Sequence, residues 1–196
     1  MKEGTFNDFK RLCGRPERMV WAVAEHGGQR SICPLGWKMQ TSHRPPMMAI
    51  SVAPARFTHD LIANAGAFVL AWPGEDLAEA TMFCGTRSGR KVDKFAELSL
   101  ATRPGTQVAA PLIEACIANL ECAVVETMTS GDHTIFAGEV KAFWIHEAPR
   151  KPLCSIGHEA GYTFLIEKGG YRFGVVHDEE RAGGAPTDGW RRPGDR

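Results

Sequence analysis

No stretch of this 196-residue chain approaches the roughly 18 consecutive apolar residues a membrane-spanning helix requires, so no such helix is expected. The N-terminal MKEGTFNDFKRLCGR lacks the apolar core of a secretory leader, and a cytoplasmic location is the expectation. Charge of one sign is also missing. Lys plus Arg number 23 and Asp plus Glu number 23, giving a formal net charge of zero. A surface without a net field does not draw nucleic acid or anionic lipid, so neither is expected as a main partner. Six cysteines are present, but none forms a CxxC pair, and a domain of this size needs no disulfide staples. Reduced, mostly buried thiols follow. His26, His43, His59 and His133 have no companion at ligand spacing, so no structural zinc is expected. A GxxxxGK[ST] loop and a GxSxG elbow are both absent, which removes the P-loop and the nucleophile-elbow hydrolase.

What the chain does have is ordinary globular composition, 43% hydrophobic and 23% charged, with a surplus of turn-formers. Glycine numbers 21, and there are 12 prolines. The backbone therefore reverses often, which suits many short strands better than a helical bundle. Residues 177–196 carry nine charges, four glycines and two prolines with little to bury, and are expected to be a disordered tail with Trp190 as its one possible anchor. Residues 1–176 then form a single domain.

Apolar runs of strand length occupy residues 19–25 and 47–53. Phe57, Leu61 and Ala65 recur at helical spacing, so FTHDLIANA predicts a short helix with Thr58 as N-cap and Gly66 as its stop. AFVLAW reads as a strand. Glu75 and Asp76 open a second helix through Leu77, Thr81 and Cys84, with Gly85 as its stop. Residues 120–127 and 134–145 flank a glycine-bearing connection and predict a hairpin. Residues 163–167 and 171–176 predict a second, around Lys168-Gly169-Gly170. With no sustained strand–helix–strand rhythm, the expected fold is mainly β: an antiparallel barrel with small helices outside.

The densest polar cluster runs from Cys84 to Phe95 and holds Arg87, Arg90, Lys91 and Lys94 with Thr86, Ser88, Gly85, Gly89 and a single acid, Asp93. Glycines let backbone N–H groups converge, and Ser, Arg and Lys add charge-assisted donors, the requirements of a phosphate. A solvated basic loop is the other reading. Pro54-Ala55-Arg56-Phe57-Thr58 places a guanidinium and a hydroxyl at a helix start, a second anion-favouring arrangement. Two such segments in one small domain suggest one shared site. Gly131-Asp132-His133 sits in a hairpin turn, where the histidine either reaches a ligand or is simply solvated. Trp37 follows Pro34 and Gly36 and is a pocket candidate. Cys84, beside the basic loop, is either redox-active or a buried thiol packed under the turn.

These segments resemble the flavin reductase-like family of FMN-binding split barrels, which includes flavoredoxin. The resemblance rests on Ser88-Gly89-Arg90-Lys91-Val92-Asp93-Lys94-Phe95 (SGRxxDKF) and on Pro111 to Glu114 with Asn119 to Cys122 (PLIE…NLEC). It rests equally on Gly131 to Val140 (GDHTxFxGEV) and on Pro45 to Ser51 with Arg56 to Ile62 (PPLxxxS…RYTxxLI). The segments occur in family order from Pro16 to Ile145. The resemblance implies a split β-barrel, a homodimer, and FMN near the subunit interface. It implies that Arg56, Thr58, Ser88, Gly89, Arg90 and Lys91 hold the FMN phosphate. Ser31, Trp37, Met39, Thr41 and Ser51 would border the flavin ring, and His133 would act beside flavin or nicotinamide. One departure stands out. Ser31-Ile32-Cys33-Pro34 replaces the family's N-x-x-T before Gly-Trp, and proline offers neither a hydroxyl nor an N–H.

The expected activity is an NAD(P)H-dependent flavin reductase, with NADH or NADPH as donor and FMN as cofactor. Two other readings stand beside it: an FMN electron carrier without its own nicotinamide site, and a non-catalytic split barrel binding another ligand.

Overall fold

The computed structural model describes residues 3–157 and 162–176. The predicted tail, Trp190 included, lies outside the described residues. Helix α1 (Phe6–Cys13) precedes strands β1 (Glu17–Arg18), β2 (Val20–His26), β3 (Gln29–Leu35), β4 (Lys38–His43) and β5 (Pro46–Val52). Helix α2 (Phe57–Ala65) leads to β6 (Ala67–Trp72), and a 3-10 turn (Glu75–Leu77) leads to α3 (Ala78–Thr86) and α4 (Lys94–Glu97). Strands β7 (Thr102–Arg103) and β8 (Leu112–Ile113) pair with each other. The long hairpin β9 (Ala118–Ser130) and β10 (His133–Ile145) follows, and β11 (Cys154–Ser155), β12 (Tyr162–Lys168) and β13 (Tyr171–Val176) end the described chain.

Seven antiparallel strands form the main sheet, in the order β3-β2-β6-β9-β10-β5-β4. Strands β3 and β4 occupy its two opposite edges, yet only Gly36 and Trp37 separate them in the chain. Three Cα steps reach at most about 11 Å. The sheet must therefore curl until its edges approach each other at that corner. The Ser51 N–H donates to the Trp37 carbonyl at 3.0 Å and ties the corner to β5. No ladder joins β3 to β4 among the described residues. The result is an antiparallel barrel split along one seam, the fold class expected from the sequence.

Alternation fills both sides of β2. Val20, Ala22 and Ala24 meet Ile50, Val52, Phe68, Leu70, Cys122, Phe136 and Val140, together with Leu61 and Ile62 of α2. Trp21 and Val23 face the other way, onto Val69, Ala71, Leu77, Cys84, Phe95 and Ile113. The indole N–H of the fully buried Trp21 donates to Thr81 Oγ1 at 3.0 Å, satisfying the one polar atom it takes inside. A second sheet, β1-β11-β13-β12, packs on α3 through Met19, Met82, Leu153 and Phe173. Its β1 strand meets the corner between β3 and β4, where Lys38 Nζ donates to the Arg18 carbonyl.

The PLIE…NLEC likeness has a structural cause. Asn119 accepts the Ile113 N–H at 2.9 Å and returns a bond to the Ile113 carbonyl at 3.0 Å. Glu121, fully buried, accepts N–H groups of Thr106, Gln107 and Val108, the Thr106 hydroxyl and the Trp144 indole. Burial alone would push this carboxyl up; the Gln107, Trp144, Thr106 and Val108 bonds outweigh it and hold it below the usual carboxylate range.

Helix α2 spans the expected residues and ends on Gly66, whose φ of 63° is the left-handed stop. Two details differ. Arg56, not Thr58, occupies the N-cap, because Phe57 is already helical and Thr58 lies inside the first turn. Gly85 falls within α3, which runs on to Thr86 before Arg87 takes extended geometry. Both hairpins form, and each turn is two residues: Gly131-Asp132, and Gly169-Gly170 with φ of 58° and 80°. Strands β3 and β4 form although no apolar run or alternation in the sequence marks them.

Candidate functional site

A cavity of about 300 Å³ opens where β3, the start of α2 and the end of α3 converge. Its donors come from three segments: Ser31, from Arg56 to Thr58, and from Thr86 to Gly89. The wall at α2 is a helix start with no side-chain cap; the His59 N–H already donates to the Arg56 carbonyl, which leaves the Phe57 and Thr58 N–H groups for a ligand. Ser31 is 1% exposed, and its Oγ has no hydrogen-bond partner. A buried hydroxyl left unpaired costs about 1–3 kcal/mol, so its natural partner is a group entering this cavity. Gly89 faces Ser31 so closely that a Cβ there would overlap the Ser31 hydroxyl and crowd the Phe57 ring. The loop must carry glycine for the backbone to approach.

Lys94 supplies the buried charge beside these donors. Its Nζ donates to the Ile32 carbonyl at 2.6 Å and the Cys84 carbonyl at 2.7 Å, stitching α4 to β3 and α3. Burial draws the Lys94 ammonium below the usual lysine range, while nearby Cys84 and Cys33 oppose that shift. Burial pushes Cys33 up against the opposing charges of Lys94 and Arg56, and pushes Cys84 up to about 12. Cys84 is 2% exposed within the apolar cluster under the loop. It is a packed, protonated thiol.

A second chamber of about 230 Å³ adjoins the first, sharing Cys33, Pro34, Arg56 and Tyr171 with it. Trp37, Ser51 and His133 also line it. The Trp37 and His133 rings lie 4.8 Å apart at 48°, and His133 Nδ1 is 2.7 Å from Asp132 Oδ1. A third hollow of about 360 Å³ continues outward past Trp37, Met39, Ala49 and Ile135. The three together form one cleft, donor-rich and cationic at its inner end and aromatic at its outer end.

The sequence candidates distribute unevenly along it. Ser31, Arg56, Thr58, Ser88 and Gly89 meet in the first cavity; Trp37, Ser51 and His133 meet in the second, and Met39 lines the third. Arg90 turns elsewhere: its guanidinium pairs with Asp60 and lies 5.0 Å over the Phe57 ring. Lys91 is exposed and outside the cavity lining, and Thr41 is an exposed bulge residue between the paired Gln40 and Ser42 of β4. Arg87, Lys94 and Tyr171 line the cleft without having been singled out for it. Arg87 and Lys94 were visible in the basic cluster, but only tertiary packing shows which cations point inward. Pro34 sits in β3, paired with Trp21 of β2, on an edge strand, the kind of strand that tolerates proline.

Among the described residues no group of three His, Cys, Asp or Glu could hold a metal, and no helix is long and apolar enough to cross a membrane.

Comparison with solved structures finds a flavoredoxin from Methanosarcina acetivorans at TM-score 0.76 and 27% identity, covering 96% of this chain and 97% of that one. An FMN-binding protein from Thermus thermophilus, solved with 1-cyclohex-2-enone bound, aligns at TM-score 0.70 and 25% identity over 90% and 94% of the two chains. Among curated proteins, one from Archaeoglobus fulgidus is 39% identical over 53% of this chain and 59% of its own length. An NADH-dependent FAD reductase from Streptomyces globisporus is 33% identical over 49% of this chain and 52% of its own length. The chain thus spans somewhat over half the length of these two relatives. Residues 14–163 match the flavin reductase like domain, and the chain belongs to that family.

Proposed function

We propose that the cleft binds FMN and that the protein is an oxidoreductase moving electrons from NADH or NADPH to that flavin. The observation that carries the reading is the buried, unpartnered Ser31 hydroxyl in a cavity walled by an uncapped helix start and by Arg56 and Arg87. That donor set fits a phosphate monoester, and the adjoining chamber beside Trp37 fits a flat ring system. The flavoredoxin and FMN-binding neighbours and the FAD-reductase relative support a flavin as the occupant.

Arg56, Thr58, Ser88, Ser31 and the backbone at Gly89 would hold the phosphate, with Arg87 supplying further positive charge. Arg90 contributes by fixing Asp60 and the Phe57 ring at the head of α2. Trp37, Met39 and Ser51 would border the ring, and His133, steadied by Asp132 and Trp37, would orient the donor or a proton at the open face. When bound, FMN would supply a two-electron acceptor for hydride from a reduced nicotinamide. The protein's own share is orientation, charge neutralisation and exclusion of water from the inner chamber. Loss of Arg56 tests this directly: Arg56→Ala should weaken FMN binding roughly 10- to 100-fold, as expected for a charged hydrogen-bond donor. Unchanged affinity by flavin-fluorescence titration would refute the shared phosphate site.

The flavoredoxin likeness supports a second reading, an FMN electron carrier fed by a protein partner. Such a protein would be yellow yet would not oxidise NADH or NADPH.

A further inference from the structure

We propose that Tyr171 is a clamp residue of the flavin cleft, covering the neck between its two inner chambers and setting how long the flavin stays bound; this rests on the FMN reading above. Four residues line both chambers: Cys33, Pro34, Arg56 and Tyr171. The first three belong to the barrel and the start of α2. Tyr171 comes from the second sheet, beyond residue 163 where the family match ends.

The local structure explains its position. Gly169 and Gly170 both take left-handed geometry, so β12 turns into β13 in two residues and Tyr171 begins the new strand at the cleft. Along a strand, residues two apart share a face. Phe173 is 3% exposed and packs with Met19, Leu153 and Met82 of α3, and it too lines the first cavity. The buried Phe173 thereby anchors the face that holds Tyr171 over the cleft. Tyr171 itself remains 46% exposed. Covering that ring with a ligand would remove apolar area from water.

A mononucleotide with its phosphate in the first chamber and its ring in the second must run its connecting chain past this neck. The ring of Tyr171 would cover that chain and slow its escape. The clamp governs retention, the difference between a bound cofactor and an exchanging substrate.

The test uses the full-length protein with FMN as probe. Stopped-flow flavin fluorescence gives the dissociation rate, and equilibrium titration gives Kd, for wild type, Tyr171→Ala and Tyr171→Phe. Tyr171→Ala should release FMN at least tenfold faster with Kd raised to match, and Tyr171→Phe should stay within about threefold of wild type. Thermal midpoints of the flavin-free proteins should agree, since a half-exposed ring contributes little to the empty fold. Rescue by phenylalanine separates a ring contact from general loosening of the hairpin. A wild-type rate in Tyr171→Ala, or a Tyr171→Phe protein as leaky as the alanine variant, overturns the clamp and leaves the flavin reading intact. A wild-type protein that binds no FMN overturns both.

Discussion

Ser31 stands where the family pattern carries asparagine, and in this fold its hydroxyl is buried without a partner at the inner end of the cleft. A ligand phosphate would satisfy it, so Ser31→Ala should weaken FMN binding by roughly tenfold while raising the stability of the ligand-free protein slightly. Parallel flavin titration and thermal unfolding separate the two effects. At Cys84 the geometry decides between the alternatives left open by the sequence: a thiol 2% exposed and pushed up to about 12 is a packing residue. Iodoacetamide labelling of the native protein at neutral pH should modify the exposed Cys13 and spare Cys84. Glu121 carries a pH dependence. Its carboxyl is held low in the folded state, so it stabilises the fold above the ordinary carboxylate range of about 4.3, and that contribution fades as pH falls through the folded value. Glu121→Gln should cost on the order of 2 kcal/mol at neutral pH and less near pH ~3, measured as urea midpoints.

Elements with strong local punctuation were legible in the sequence; those defined by partners were not. Helix α2 announced itself through Phe57, Leu61 and Ala65 and the glycine behind them, and both hairpins through glycine turns. Strands β3 and β4 carry no such pattern. As the sheet's edges they are half-solvated, and Arg30, Pro34, Lys38 and Gln40 interrupt any alternation. Thr58 has the chemistry of a cap but not the place, because Arg56, two residues earlier, already turns the chain into the helix. Gly138 is an element-scale feature with a sharp consequence. It sits at the bulge in the β9–β10 ladder, and a Cβ there would lie 2.9 Å from the Cys122 Cβ and 3.0 Å from the Phe68 ring. Gly138→Ala should therefore destabilise the fold by about 1–3 kcal/mol with little local effect on the cleft. Urea unfolding of the two proteins checks it.

At the scale of the molecule, a neutral chain concentrates its cations where the barrel seam opens. The zero net charge conceals Arg56, Arg87 and Lys94 around one cavity, while Arg90 is neutralised by Asp60. The order of motifs was readable before the structure, and so was a shared anion site. Which cations face inward was not, because that choice depends on Lys94 reaching the Ile32 and Cys84 carbonyls across the fold. The homodimer that the family resemblance implies belongs to the same scale, and the exposed Trp37, Met39, Phe143 and Ile145 support it. Light scattering should return about twice the chain mass of 21.4 kDa.

Anaerobic addition of NADH or NADPH to the FMN-loaded protein, followed by visible absorbance, tests the central claim most directly. A bound flavin spectrum that bleaches with one of the two nicotinamides is the result predicted. A protein that takes up no FMN, or whose bound FMN stays fully coloured with both donors, would contradict it.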